Sequence, residues 1–234
     1  MMPYRCLASF YGGKARIAHR YPPPRHDTII EPFAGGAGYA LRYAERSVHL
    51  YDVNPQVVAL WRYVIQTPLD VIVAAIPPTV TAGARVSELI DIPSAAPGLV
   101  ALLRAGANHG TFGCRGTCDV ITPVGAQAWY RIIPRVTYMV PRIRHWTITH
   151  GSYEQIPNMP ATWFIDPPYY NKAGRVYCYQ VTSYQALADW CQTRRGQVIV
   201  CENEGATWLP FVPLTRSQSI GLRGRAMESV WIRP

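Results

Sequence analysis

Residues 28–44 give the strongest restriction on the fold, since an apolar run is followed by a glycine-rich turn and a segment able to form a helix. This order is the βα step of an open α/β sheet, and its glycines let a ligand approach the backbone at the strand's carboxyl end. About twenty residues after the turn begins, residues 48–52 predict a second strand that ends in Asp52. An acid at this position is typical of one that accepts both ribose hydroxyls of an adenosine-containing cofactor.

Further segments continue the alternation of strands and helices. Asn54 and Pro55 predict the start of a helix that runs to about Gln66, and Ser183 predicts the cap of another helix. Three more apolar or β-branched runs predict strands, and two runs near the C-terminus predict closing antiparallel strands. In chain order, these five segments are residues 146–150, 163–165, 197–201, 211–214 and 229–232.

The composition is that of a globular protein. The chain has 234 residues, of which 49% are hydrophobic and 16% are charged, and this fits one domain or one domain with a large insertion. The formal net charge of +9 favours a polyanionic partner. No apolar run approaches the roughly 20 residues that span a bilayer, and residues 1–6 lack the apolar region of a secretory signal. We therefore expect an intracellular protein with no membrane partner.

The six cysteines are scattered along the chain, so we expect reduced thiols rather than a disulfide framework. One cluster, formed by His109, Cys114 and Cys118, contains three side chains that could bind zinc. It has no Cys-x-x-Cys pair and no nearby fourth ligand, whereas structural zinc sites have four ligands. We therefore predict no metal site.

A second informative pattern is the step from the apolar residues 163–165 into Asp166, Pro167, Pro168 and Tyr169. The two prolines end any strand or helix, so the acid and the tyrosine are held at a rigid strand edge. The Asp166 carboxylate and the Pro167 carbonyl can both accept hydrogen bonds from an exocyclic amine, and Tyr169 offers a face for stacking. This favours a site for a planar, amino-bearing ring. A polar turn at the end of a core strand is the alternative, because Asp-Pro-Pro is also ordinary turn chemistry.

Residues 9–14 contain two aromatic residues, two glycines and Lys14. The glycines allow the backbone to approach a ligand, and Lys14 adds a positive charge beside it. A surface turn with a solvated lysine is the alternative interpretation of this segment.

Residues 98–152 contain a single acid, Asp119, whereas six arginines alternate there with aromatic residues. Arginines and flat rings together can bind phosphates and stack on bases, although a solvated basic face over core aromatics is the alternative. Arg115 lies at the tip of a glycine-punctuated loop or hairpin, where it could reach a guanine edge. Lys172 and Arg175 lie in a loop that follows the Asp166 step.

Together these segments resemble the D12 class of DNA adenine-N6 methyltransferases, the Dam-like enzymes, whose motifs run in the same order. Residues 10–14 resemble the N-terminal cofactor motif, and residues 31–38 resemble the glycine-rich cofactor loop. Residues 52–54 resemble the motif of the ribose-binding acid, and residues 166–169 resemble the DPPY catalytic motif. The similarity covers nearly the whole chain.

The resemblance implies an α/β, Rossmann-like fold for S-adenosylmethionine-dependent methyl transfer, with an inserted, mainly helical and hairpin-containing target-recognition domain. Residues 1–61 and 147–234 would form the catalytic domain, and residues 62–146 would form the recognition domain. Within the latter, Arg115 and Gly116 resemble the Arg-Gly of the recognition hairpin, after which the spacing departs from that of Dam.

The resemblance also implies roles for individual residues. The contacts to S-adenosyl-L-methionine would be Phe10, Tyr11, Gly12, Lys14, Phe33, Gly35, Asp52, Tyr153 and Asp166. The catalytic residues would be Asp166, Pro167, Pro168 and Tyr169, and the contacts to double-stranded DNA would be Arg115, Lys172 and Arg175.

The implied reaction methylates N6 of an adenine that is flipped out of the duplex and stacked on Tyr169, without a metal ion or a covalent enzyme intermediate. The implied location is the cytoplasm of a bacterial or phage-infected cell. The sequence leaves the oligomeric state open between a monomer and a weak dimer.

Two alternatives stay open. An N4-cytosine methyltransferase makes the same demands on the motif, although members of that family usually carry Ser in place of Asp. A catalytically silent relative that only binds DNA is a different class of protein, which the intact Lys14, Asp52 and Asp166 disfavour.

Overall fold

The computed structural model describes residues 6–7, 10–107, 112–115, 119–172, 174–218 and 225–234, with the backbone alone described at 216–218 and 225–226. Within these residues the chain forms seven strands and seven α-helices, besides short 3-10 helices. The strands are Thr28–Glu31 (β1), Ser47–Asp52 (β2), Thr147–His150 (β3), Ala161–Ile165 (β4), Gly196–Asn203 (β5), Val212–Gln218 (β6) and Arg225–Arg233 (β7). The helices are Pro55–Gln66 (α1), Leu69–Ala75 (α2), Val86–Leu89 (α3), Pro97–Ala107 (α4), Pro123–Ala128 (α5), Ile132–Met139 (α6) and Tyr184–Thr193 (α7).

The strands form one sheet in the order β3-β2-β1-β4-β5-β7-β6. Strands β1 to β5 pair in parallel, whereas β7 runs antiparallel to both β5 and β6. The protein is therefore α/β with a mostly parallel sheet, as predicted. After β1 the chain continues to β2 on one side of this central pair, and after β4 it continues to β5 on the other side. Open α/β sheets bind ligands outside the carboxyl ends of the strands at such a switch point.

Strand β4 lies at the centre of the sheet and is buried along its whole length. Successive side chains of a strand point to opposite faces, and both faces of β4 are covered by aromatic rings. Phe164 stacks on Tyr39 with 4.2 Å between ring centroids, and Trp163 contacts Trp190 of α7 at 5.5 Å. This packing fixes the point at which the chain leaves the sheet, immediately before Asp166.

Helix α1 begins where the sequence indicates. The Asn54 side chain accepts a hydrogen bond from the Gln56 N–H at 3.0 Å, and Pro55 occupies the first turn, where a missing N–H is tolerated. The segment after the glycine-rich turn is shorter than a full α-helix. It forms the 3-10 helix Ala40–Tyr43, because β2 already begins at Ser47.

The chain between β2 and β3 contains α1 to α6 and shares its core with the sheet. Leu102, Trp129 and Val136 from this stretch belong to the same buried cluster as Ile29 of β1. The predicted domain boundary at residue 62 falls inside α1. None of the helices in the described ranges combines the length and the apolar character needed to cross a bilayer.

Candidate functional site

Three carboxylates lie at the carboxyl ends of neighbouring parallel strands. Glu31 ends β1, Asp52 ends β2 and Asp166 follows β4. They line a cleft that holds about 810 Å³ of empty space, its open mouth included. Small-molecule sites occur at switch points of this kind. This cleft is the candidate functional site.

Most residues that the sequence predicts as ligand contacts line this cleft. They are Phe10, Tyr11, Lys14, Phe33, Gly35, Asp52, Asp166 and Pro168. Four other predicted residues are described but do not belong to the lining, namely Gly12, Tyr153, Pro167 and Tyr169. The structure therefore brings together residues from the N-terminal segment, the glycine-rich turn and the ends of β2 and β4.

The glycine-rich turn after β1 presents its backbone to the cleft. Gly35 has a φ of +42°, and a Cβ built on it would meet no heavy atom within 4 Å. The Gly35 N–H donates to Asp52 Oδ2 at 3.0 Å, and the Gly35 carbonyl accepts from Trp61 Nε1 at 2.8 Å. The turn is thus held at both backbone groups, while open space remains beside its Cα for a ligand.

Asp52 is oriented by backbone donors. Its Oδ1 accepts from the Asn54 N–H at 2.8 Å, and its Oδ2 accepts from Gly35. Burial raises the pKa of Asp52 to about 6, and the hydrogen bonds from Gly35 and Asn54 oppose this shift. Each carboxylate oxygen keeps a second lone pair, so ionised Asp52 can accept further hydrogen bonds from hydroxyl groups in the cleft.

Lys14 holds the carboxylate that follows β4. Its ammonium lies 2.7 Å from Asp166 Oδ1 and 2.9 Å from Asp166 Oδ2, and it donates to the Gly12 carbonyl at 2.9 Å. Burial raises the pKa of Asp166 to about 6, and Lys14 opposes the shift. Burial lowers the pKa of Lys14, but Asp166 and Glu228 outweigh burial and raise it above its ordinary value. The pair is therefore ionised above about pH 6.

Tyr169 directs its hydroxyl to Glu228 on β7. The phenol donates to Glu228 Oε1 at 2.6 Å, and Lys14 Nζ lies 4.8 Å from the centroid of the Tyr169 ring. Tyr21 donates to the same Glu228 oxygen at 2.7 Å. Tyr169 thus anchors the turn after β4 to the last strand of the sheet.

Other contacts fix the backbone of this turn. The Tyr184 hydroxyl donates to the Pro168 carbonyl at 2.5 Å, and Glu202 of β5 accepts from the Tyr170 N–H at 3.1 Å. Among the residues that the structure describes, none donates a hydrogen bond to the Pro167 carbonyl. A carbonyl oxygen has two lone pairs, so the Pro167 carbonyl can accept a hydrogen bond from a ligand.

Phe33 and Tyr153, both predicted beside a cofactor, contact each other with 5.6 Å between ring centroids. Phe33 lines the cleft, whereas Tyr153 is buried behind it and packs against Trp190 at 5.1 Å. Tyr153 therefore supports the Phe33 ring from behind and does not itself form the surface of the cleft.

Three segments that are distant in sequence meet along one side of the cleft. Phe10 forms a parallel bridge with Phe112, and Cys114 forms an antiparallel bridge with Tyr177. The Tyr177 hydroxyl donates to the Tyr11 carbonyl at 3.1 Å, which links the last of these segments to the first. Residues 10–14, 112–115 and 174–180 are called the three-segment wall below.

The side chains predicted to contact DNA lie in or next to this wall. Arg115, Lys172 and Arg175 are all exposed. The Arg115 N–H donates to the Val176 carbonyl at 2.8 Å, which brings Arg115 to the segment that carries Arg175. Tyr179 in the same segment is 44% exposed and lines the cleft. Positive charges and a flat aromatic ring therefore lie together beside the cleft.

No three His, Cys, Asp or Glu side chains in the described part of the chain are arranged to hold a metal ion. Cys114 is buried in the three-segment wall. His109 and Cys118 of the predicted cluster lie outside the described residues, as does Gly116 of the Arg-Gly pair.

The site residues predicted from the sequence do not include Glu31, Glu228 or Tyr177, although Glu31 begins the segment that resembles the glycine-rich cofactor loop. Glu31 lines the cleft, its Oε1 accepts from the Ala40 N–H at 2.7 Å, and burial raises its pKa to about 8. Its position at the end of an apolar strand is the same signal that identifies Asp52. No local pattern connects Glu228 or Tyr177 to the cleft, because their contacts join segments that are far apart in sequence.

Comparison with known proteins gives similarities to solved structures only. No protein-family model matches the chain, and no curated protein matches it. Among solved structures, the chain is similar to a conserved hypothetical protein of Streptococcus pyogenes, with 13% sequence identity, coverage of 88% of this chain and 86% of that chain, and a TM-score of 0.37. A similarity with this TM-score carries no argument about fold or function.

Proposed function

We propose that the protein is a site-specific DNA methyltransferase of the D12, Dam-like class. It transfers a methyl group from S-adenosyl-L-methionine to N6 of an adenine flipped out of duplex DNA. The observation that carries this proposal is the Asp166 carboxylate, which Lys14 holds in the same cleft as Asp52 and the glycine-rich turn. One cleft then contains an acceptor for the target amine and an acceptor for a ribose, which is the proximity that the reaction needs.

The cleft fits S-adenosylmethionine in chemistry and in space. Asp52 has free acceptor capacity for ribose hydroxyls, and Phe10 and Phe33 offer apolar surface. The open space beside Gly35 admits a ligand close to the backbone. When bound, this cosubstrate supplies an electrophilic methyl group on a positively charged sulfur.

Asp166 acts on the target amine in this proposal. Besides its two contacts to Lys14, each carboxylate oxygen keeps a lone pair that can accept a hydrogen bond from N6. The Pro167 carbonyl is the second acceptor for N6. Two acceptors localise the nitrogen lone pair, which forms the new C–N bond while the bond between sulfur and the methyl group breaks. Asp166, with a pKa of about 6, can then take the proton that N6 loses and release it to water.

Base flipping needs aromatic surface, because unstacking a base costs a few kcal/mol. The predicted stacking on Tyr169 requires access to a half-buried ring that is not part of the lining and whose hydroxyl is bound to Glu228. Tyr170, which is 63% exposed, and Tyr179 are rings already at the surface near the turn. These two tyrosines are therefore further candidates for stacking.

The remaining predicted features complete the proposal. Residues 62–146 carry the inserted recognition domain and residues 1–61 and 147–234 the catalytic domain, with Arg115, Lys172 and Arg175 on the duplex. The exposure of these three side chains beside the cleft supports this assignment. The protein acts on DNA in the cytoplasm of a bacterial or phage-infected cell.

A methylation assay tests the proposal. The purified chain is incubated with duplex DNA and S-adenosylmethionine labelled in its methyl group, and the DNA is digested to nucleosides for mass spectrometry. We expect the label in N6-methyladenine. Label in N4-methylcytosine alone would make cytosine the target, and tight DNA binding without label in either base would identify a silent DNA-binding relative.

A further inference from the structure

Glu228 is buried beside Lys14 and Asp166, although it does not line the cleft. It is 3% exposed, and its Oε1 lies 3.8 Å from Lys14 Nζ. The same oxygen accepts the hydroxyl hydrogens of Tyr21 and Tyr169 at 2.7 Å and 2.6 Å. A buried carboxylate is costly unless it is paired and hydrogen-bonded, and these three partners supply both conditions.

Lys14 has no N–H group left to donate to Glu228. An ammonium has three N–H groups, and those of Lys14 face the Gly12 carbonyl and the two oxygens of Asp166. Glu228 therefore acts on Lys14 through its charge rather than through a hydrogen bond. One ammonium faces two carboxylates, so the formal net charge of this buried cluster is −1.

Two other acids, Glu202 and Glu31, interact electrostatically with Asp166. Glu202 accepts from the backbone N–H groups of Tyr170 and Asn203 and from the Trp208 indole, and it forms no ion pair with Lys14. Glu31 is mostly protonated at pH 7, because burial raises its pKa to about 8. Among the described residues, Lys14 is the only cation that forms an ion pair with Asp166 or Glu228, so one negative charge of the cluster has no partner cation there.

We propose that Glu228 is a positioning residue that, through Lys14 and Asp166, makes the cleft prefer the positively charged methyl donor over its neutral product; this rests on the proposed function. S-adenosylmethionine carries a sulfonium and S-adenosylhomocysteine carries a neutral thioether, while the rest of the two molecules is the same. One buried charge within about 10 Å changes the affinity for a cation about tenfold. Methyl transfer removes that positive charge in place, so the same cluster favours release of the product.

Isothermal titration calorimetry on the full chain measures this preference. The ligands are S-adenosylmethionine, S-adenosylhomocysteine and sinefungin, in which a protonated amine replaces the methyl-sulfonium. Glu228→Gln removes the charge but keeps an oxygen for the two phenols, and it should reduce the ratio of S-adenosylmethionine affinity to S-adenosylhomocysteine affinity about tenfold. Tyr21→Phe is the matched control, since it removes one hydrogen bond to Glu228 but no charge. Its affinity ratio should stay within about twofold of that of the unsubstituted chain.

An unchanged ratio in Glu228→Gln, or an equal loss of affinity for both ligands, would overturn this inference and leave the proposed function intact. If the unsubstituted chain binds neither ligand, the proposed function and the inference both fail. If Glu228→Gln does not fold, ligand binding to the unsubstituted chain still tests the preference for a cation. Sinefungin should then bind about tenfold more tightly than S-adenosylhomocysteine, and equal affinities would refute the preference.

Discussion

Burial gives Asp52 and Asp166 the same pKa of about 6, but different groups oppose burial at the two sites. At Asp52 the largest opposing effects come from the backbone N–H groups of Gly35 and Asn54, whereas at Asp166 the largest comes from the Lys14 ammonium. Both side chains are mostly ionised at pH 7.5, as an acceptor for hydroxyl or amine hydrogens must be. Loss of either carboxylate therefore removes an oriented acceptor as well as a charge.

Asp166→Ala should reduce methyl transfer by at least about three orders of magnitude, because the target amine loses its charged acceptor. The affinity for duplex DNA should change by less than about threefold, since the proposed phosphate contacts come from exposed cations and not from Asp166. Transfer of a labelled methyl group and fluorescence anisotropy with a labelled duplex measure the two quantities. Circular dichroism serves as the control for folding. Retained turnover would refute the role of Asp166.

Glu31 keeps a proton in the folded state at pH values where the unfolded chain releases it, because burial raises its pKa from 4.5 to about 8. Its contribution to stability is therefore fully present below about pH 4.5 and is lost as the pH rises to about 8. Glu31→Gln keeps an oxygen for the Ala40 N–H and cannot ionise. The unfolding free energy of this variant minus that of the unsubstituted chain should therefore be at least about 1 kcal/mol larger at pH 8 than at pH 5.

Urea unfolding at the two pH values measures this gain. Both proteins should be compared without ligand, because Glu31 lines the cleft. A stability difference that is the same at both pH values would contradict the assigned protonation state.

Among the elements, the turn after β4 and the 3-10 helix Gly174–Val176 are packed so closely that no side chain fits between them. A Cβ on Gly174 would lie 1.8 Å from the Tyr169 carbonyl oxygen and 2.6 Å from the Tyr169 nitrogen. Gly174 is thus the point at which the three-segment wall touches the backbone of the turn after β4.

Gly174→Ala should displace that turn, with a loss of about tenfold or more in kcat and about 1–3 kcal/mol in stability. Gly205→Ala is the matched control, because a φ of +91° makes alanine unfavourable there, while Gly205 is not part of the cleft lining. Methyl transfer is measured at a temperature where both variants are folded. Equal activity in the two variants would show that the close contact does not matter for catalysis.

Local patterns predict the elements of this fold well, because their signals lie within a few residues. The apolar runs, the Asn54 cap and the acid at Asp52 predict β1, β2 and α1, and the structure confirms these elements. The side-chain contacts that complete the site are not local. The hydrogen bond from Tyr169 to Glu228 and the link from Arg115 to Val176 each depend on how distant segments pack. Sequence periodicity carries no information about such pairs, so the interior position of the Tyr169 hydroxyl could not be predicted.

For the whole molecule, the formal net charge of +9 would act in DNA binding through the release of counterions from the phosphates. The logarithm of the binding constant should fall linearly with the logarithm of the salt concentration. Arg115→Ala should make this slope shallower by about 0.9 and should relax or shift the recognised sequence. Asp166→Ala should leave the slope unchanged, which makes it the control.

Anisotropy titrations at several salt concentrations give the slope, and base-resolved sequencing of methylated DNA gives the recognised sequence. If both stay unchanged in Arg115→Ala, this residue does not contact the duplex.

The three-segment wall has a consequence for protein synthesis. Its segments come from early, middle and late parts of the chain and are joined by isolated β-bridges and a few hydrogen bonds. A ribosome releases residues 10–14 long before residues 174–180, so the wall cannot close until most of the chain has been made. Until then Tyr11 lacks the ring of Tyr177, against which it packs with 5.5 Å between ring centroids in the folded protein. A nascent chain that stalls before Gly174 would therefore present an apolar, unfinished cleft to the chaperones of the cell.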